Sequence, residues 1–141
     1  MAKRSDLMGL GMSVFLAERL ASEPLVVTAY GATAGAAYPL SGKSFVIAVT
    51  GSSGVGANAG LGVRLPNAGG DSGCLLGDEF VVYNLAGADG ALTVYTSTST
   101  FIATSATNIV GTTGVTIATF QGISFRMITA TQWAGVKGAV A

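Results

Sequence analysis

The residues of this 141-residue chain that come nearest to a chemical site lie in VIAVTGSSGVGANAG, Val46 to Gly60. A β-branched and apolar run (Val46, Ile47, Val49, Thr50) leads into Gly51, Gly54, Gly56 and Gly60. A strand feeding a glycine-rich turn is how backbone amides are arranged to cradle phosphate. A P-loop requires G-x-x-x-x-G-K-[ST]. Gly51 and Gly56 supply the glycines, but Ala57 and Asn58 follow where the lysine and hydroxyl belong. That lysine reaches the β- and γ-phosphates and that hydroxyl binds magnesium, so the cradle lacks both working groups.

Against a dinucleotide turn of the short-chain dehydrogenase type, G-x-x-x-G-x-G, the spacing of Gly51, Gly54 and Gly56 is one residue short. None of Tyr30, Tyr38, Tyr83 and Tyr95 has a lysine four positions on, so the catalytic Tyr-x-x-x-Lys pair is missing too. The stretch therefore reads as a structural loop between strands. GGDSGC, Gly69 to Cys74, matches the segment around a trypsin-like nucleophile, but a serine there needs a general base and the chain has no histidine. Asp71, Asp78, Glu79 and Asp89 fall close together in sequence without a calcium-loop pattern. They read as turn carboxylates, with a cation near Asp71, Asp78 and Glu79 left open. The single cysteine, Cys74, reads as a small buried hydrophobe and Trp133 as a core or interface anchor. No catalytic set, metal site or cofactor is expected, and the chain does not read as an enzyme.

Charge narrows the partners. Lysine and arginine number seven, aspartate and glutamate seven, and half of the residues are apolar. Ordinary soluble domains carry roughly a quarter charged residues. So few charges, balanced in sign, favour association over repulsion. The basic residues are scattered, which argues against nucleic acid. No apolar run reaches the ~18 residues of a membrane helix, so no membrane partner is expected. The N-terminus imitates a secretory signal, with Lys3 and Arg4 ahead of Leu7 to Ala17. Asp6, Glu18, Arg19 and the lack of an Ala-x-Ala site argue that it is retained.

These residues must be positioned by two unlike regions. Residues 1–24 form an N-terminal arm, with VFLAERLAS as a short helix between a Ser13 cap and Pro24. Its apolar side chains exceed what one short arm hides on itself, so it packs on its own domain or on a neighbouring subunit. Residues 25–141 read as all-β. Strand-like runs are Leu25–Tyr30, Ser44–Val49, Gly62–Leu65, Glu79–Asn84, Leu92–Tyr95, Val115–Phe120 and Ile123–Thr129, with QWAGV after them. Ile123, Phe125 and Met127 alternate with Ser124 and Arg126, giving one buried face. Gln121-Gly122 fits a tight hairpin turn. The Thr/Ser-rich stretch from Thr93 to Phe120 has no fixed period, so no solenoid is expected, and both loops and polar strand faces stay open for it. The expected fold is a jelly-roll-like β-sandwich.

Four stretches carry a family likeness: LMGLGM (Leu7 to Met12), GVRLPNA (Gly62 to Ala68), GDEFVVYNLAGADGALTVY (Gly77 to Tyr95) and ATQW (Ala130 to Trp133). In this order they resemble small structural proteins of tailed bacteriophages, in particular the capsid cement (decoration) proteins of short-tailed phages. NAGGDSGCLLGD is longer than the link such proteins have between the RLP and GD motifs, and YTSTST replaces a turn with Pro and Gly. The resemblance implies a jelly-roll-like subunit on the outside of the virion head, made in the host cytoplasm, bridging capsomers of the major capsid protein. Self-association as a dimer or trimer goes with it. The candidate capsid or subunit contacts are Leu7, Met8, Leu10, Met12, Phe15 and Leu16. The alternative is a carbohydrate- or receptor-binding β-sandwich, as in a head fibre or adhesion module. That reading expects an exposed aromatic cluster beside loop carboxylates.

Overall fold

The computed structural model describes residues 24–41, 46–54, 56, 59–67, 74–96, 101–104, 107–110, 113–129 and 132–137. Two mixed sheets carry the fold. The larger has seven strands, β1 (Leu25–Ala29), β3 (Val46–Ser52), β5 (Glu79–Asn84), β10 (Gly122–Thr129), β11 (Gln132–Lys137), β7 (Phe101–Thr104) and β8 (Thr107–Val110), side by side in that order. The smaller has four, in the order β2 (Tyr38–Pro39), β4 (Gly62–Arg64), β6 (Leu92–Tyr95) and β9 (Val115–Ile117).

From β1 to β6 the chain alternates between the sheets, and every neighbouring pair it makes there is parallel: β1 with β3, β3 with β5, β2 with β4, β4 with β6. This half is thus a stack of three two-strand coils. The last coil is continued by reversed strands, β10 against β5 and β9 against β6. The jelly-roll connectivity expected from the sequence is not shown by these pairings, since five of the nine are parallel. A two-sheet, sandwich-like all-β fold is what they form. Among the described residues there is no α-helix, only a single 3-10 turn at Gly87–Asp89 and isolated turn residues. The expected arm helix lies outside the described residues.

Alternation builds the core, because successive strand side chains point to opposite faces. Ile123, Phe125 and Met127 are buried as their pattern predicts, and Ile47, Val49, Phe80 and Val82 of β3 and β5 join them. Val63, Leu92, Val94, Val115 and Ile117 face them from the smaller sheet. Trp133 is fully buried, edge-on to Phe80 with ring centroids 5.4 Å apart. Each such side chain contributes on the order of 1.5–3 kcal/mol by leaving water. Cys74 is buried beside Met127, its Sγ 3.9 Å from the thioether sulfur, in the hydrophobic role expected of it.

Two connections position the surface. After β1, residues 31–37 fold over the outer side of the smaller sheet, where the Tyr95 hydroxyl donates to Ala32 O (2.8 Å) and Arg64 Nη1 to Ala34 O (3.0 Å). The approach is so close that a Cβ on Gly62 would meet the Gly31 carbonyl oxygen. The second connection corrects an expectation. Gln121-Gly122 is not a hairpin turn, because β9 and β10 belong to different sheets. The chain crosses between them at 118–121, where the Gln121 N–H donates to Ala118 O (3.1 Å), and Gly122 already belongs to β10. Val115–Phe120 likewise ends as a strand at Ile117.

Candidate interaction surface

The glycine stretch carries donors, and a carboxylate of the chain itself meets one of them. Val46–Ser52 forms β3, and the Ser52 N–H donates to Asp89 Oδ2 at 2.8 Å. The same oxygen lies 3.3 Å from where a Cβ on Gly51 would sit. Ser52 Oγ donates to Gly60 O (2.9 Å), which draws the loop back on itself. An acid fixed on the last amide of the strand puts negative charge where a phosphate would come. The loop carries the chain from the larger sheet to β4 in the smaller.

The acids do not gather. Asp78 Oδ2 accepts from the Leu75 N–H at 2.8 Å and closes a local turn. Glu79 accepts from Ser124 Oγ (2.7 Å) and Arg126 Nη2 (3.2 Å) across the β5–β10 pairing. Asp89 holds the glycine loop. Asp71 and Ser72 lie outside the described residues. Among the described residues no three Cys, Asp or Glu side chains come together as a metal site.

What the fold does assemble is an apolar platform where β5 ends and β10 begins. Tyr83 pairs with Gly122, and the antiparallel contact continues past the strand ends. The Asn84 N–H donates to Gln121 O (2.9 Å) and the Phe120 N–H to Asn84 O (2.7 Å). The backbone of Phe120 is thereby tied to that of Asn84. Tyr83, Leu85 and Phe120 remain 43%, 45% and 71% exposed. The Tyr83 ring lies over Gly122, since a Cβ there would fall 2.7 Å from its Cδ1. Phe120 takes φ of +61°, alone among the described non-glycine residues. In that region a side chain crowds its own carbonyl, at roughly 1–2 kcal/mol. Strain of this kind persists only where the surroundings over-determine it.

The Phe120 N–H is bonded to the Asn84 carbonyl, and Asn84 is itself anchored. Its side chain is fully buried, Nδ2 donating to Gly90 O (2.9 Å) and Ile117 O (3.0 Å) while Oδ1 accepts from the Ala86 N–H (3.1 Å). One amide thus ties β5, the Gly87–Asp89 turn and the end of β9 together. Thr119 Oγ1 adds longer bonds to Gly87 O (3.4 Å) and Gly90 O (3.3 Å). The result is a rigid base under an exposed aromatic. Because these exposed side chains are uncharged, burying them against a partner gains hydrophobic free energy.

The six arm residues singled out in the sequence, Leu7, Met8, Leu10, Met12, Phe15 and Leu16, lie outside the described residues. The platform residues were not singled out there. Tyr83 sits within a strand run, and Phe120 reads as the last residue of another. The available signal was Asn84, a polar residue closing an otherwise apolar strand just ahead of Leu85 and a Gly-Ala-Asp-Gly turn. Comparison with protein-family models, with curated proteins and with solved structures finds no match for this chain.

Proposed function

We propose that this chain is a structural subunit of a tailed-phage virion, a cement protein that binds the outside of the head and bridges neighbouring capsomers of the major capsid protein. The observation that carries the reading is the set of exposed apolar side chains Tyr83, Leu85 and Phe120, with Phe120 at positive φ and its N–H bonded to the Asn84 carbonyl. Three further features support it. The longest motif of the phage resemblance, Gly77 to Tyr95, is the segment that builds the third coil and supplies Tyr83, Asn84 and Leu85. The net charge is zero, so close-set subunits do not repel. A two-sheet sandwich agrees with the coarse fold that the resemblance implies, and the jelly-roll connectivity is part of the proposal. Self-association as a dimer or trimer belongs to the same reading, as does the absence of catalysis. The arm residues Leu7 to Leu16 form a second proposed contact, and each stable interface needs about 1,000 Å² or more of buried surface.

The test is co-sedimentation with purified heads. Stoichiometric binding is expected from the whole chain and clear weakening from Phe120→Gly. A chain that never binds heads overturns the reading.

A second reading draws on the same residues. Tyr83 and Phe120 are exposed aromatics, and Asp89 lies on the turn to which Thr119 is tied. Aromatic faces beside carboxylates also suit a sugar, as a carbohydrate- or receptor-binding module requires. Binding on a glycan array that is lost in Phe120→Gly, together with no binding to heads, decides for this alternative.

A further inference from the structure

The two sheets differ in what lies outside them. Residues 31–37 fold over the outer side of the smaller sheet. In the larger sheet Val27, Ile47, Phe80, Val82 and Phe125 point into the core, so their neighbours along β1, β3, β5 and β10 face outward. The strand register sets those outward residues in rows. Val26, Ala48 and Tyr83 share one row, Val81 and Ser124 the next, Glu79 and Arg126 the third. Val26 is 66% exposed, and Ala48, Val81 and Ser124 are partly exposed.

Charge on these rows is confined to the third. Arg126 Nη2 donates to Glu79 Oε2 (3.2 Å) and Ser124 Oγ to Glu79 Oε1 (2.7 Å), so cation and anion stand side by side. The Arg126 and Glu79 side chains are still 60% and 46% exposed, which leaves each open to a further partner. A partner of one charge sign gains little here, because attraction at one group is offset by repulsion at the other. A partner that carries the same pair in reverse order gains at both. A second copy of this chain, turned by a two-fold rotation, carries that pair.

We propose that this face docks a second copy of the same chain, about a two-fold axis running along the strands between β5 and β10. Such an axis lays β5 over the β10 of the second copy, so that Glu79 of each copy meets Arg126 of the other. An axis across the strands would instead set Glu79 on Glu79 and Arg126 on Arg126. The first arrangement also keeps the strands of the facing sheets aligned, as packed sheets favour. It closes the apolar rows of Val26 and Val81 on those of the second copy, away from water. Leu85 and Phe120 lie past the last row, beyond the Tyr83–Gly122 pairing. The dimer rests on the self-association in the proposed function and gives it a face and a stoichiometry. It is tested on the free protein, apart from head binding.

Sedimentation velocity of the full chain over a concentration series is expected to show a monomer–dimer equilibrium. Glu79→Lys makes both charges of the face positive, and Arg126→Glu makes both negative. Each variant alone sets like charges together across the axis and is expected to dimerise more weakly, by roughly tenfold or more. An equal mixture of the two is expected to restore a dimer with one chain of each kind, although neither chain regains its internal ion pair. A role confined to that internal pair gives no such rescue. A full chain that is monomeric or trimeric throughout overturns the proposal, as does a dimer that both variants keep or a mixture that stays monomeric. Where either charge variant fails to fold, Val26→Lys, at an exposed position of the same face, takes its place, and a dimer undiminished by it overturns the proposal. Heads that bind a chain monomeric in solution would leave the cement reading standing and remove this face.

Discussion

Replacing Phe120 separates strain from contact, because glycine and alanine remove the same ring but treat the backbone differently. At φ +61° the phenylalanine backbone carries strain of about 1–2 kcal/mol, which alanine keeps and glycine relieves. Glycine gives back about 0.4–1 kcal/mol through the greater freedom of its unfolded chain. Phe120→Gly is therefore expected to be more stable than Phe120→Ala by roughly 0.5–1 kcal/mol. For a chain of this length that is a separation of about 2–5 °C in the thermal midpoint. Both variants lose the same 71%-exposed ring, so their binding to heads should fall alike. Burying the exposed part of a phenylalanine contributes about 1–2 kcal/mol, which corresponds to roughly 5- to 30-fold weaker binding at each site. The assay pairs calorimetry of the two variants with co-sedimentation titrations on heads. An alanine variant as stable as the glycine variant refutes the strain. Wild-type binding by both refutes the contact.

Asn84→Ala removes a bond to the Gly90 carbonyl and strands the buried Ala86 N–H, besides taking a donor from the Ile117 carbonyl, and should cost about 2–4 kcal/mol in urea unfolding. A loss below 1 kcal/mol would show that the platform is not held through this amide. Trp133→Phe removes a buried indole N–H that has no hydrogen-bond partner among the described residues. The relief offsets the cavity, so a change within about 1 kcal/mol is expected from chemical denaturation. Gly62→Ala drives a methyl into the Gly31 carbonyl and should destabilise by about 3 kcal/mol or more, read as a large drop in thermal midpoint. Arg126→Ala breaks an ion pair whose two side chains are about half exposed, and its cost should stay below about 1 kcal/mol. Asp89→Ala frees the Ser52 amide, and faster hydrogen exchange at Ser52 relative to the β5 amides is the expected sign.

Much of the β content was legible because it is local. Glu79–Asn84 and Leu92–Tyr95 stand as strands with the bounds their β-branched runs suggest, and the Ile123, Phe125, Met127 alternation marks a buried face. The two-residue β2 left too short a run to read. β7 and β8 fall in the Thr/Ser-rich stretch, where threonine suits loops and strand faces equally. The stacked coils had no periodic signature. Leu25 lies beside Ile47 and Ile47 beside Val82, unequal intervals that leave no repeat to detect. Gln121-Gly122 carried turn chemistry, but the turn sits just ahead of it and changes sheets.

From residue types alone follow the all-β character of the chain, the missing lysine and hydroxyl in its glycine stretch, the lack of an imidazole base and the zero net charge. These depend on composition and near-neighbour alternation, which need no knowledge of what lies across the fold. The coil stack, the carboxylate of Asp89 on the glycine loop and the Tyr83–Leu85–Phe120 platform come from pairings between residues far apart in the chain. Such pairings are chosen by how the two sheets close over a shared core, and no local stretch of sequence carries that choice.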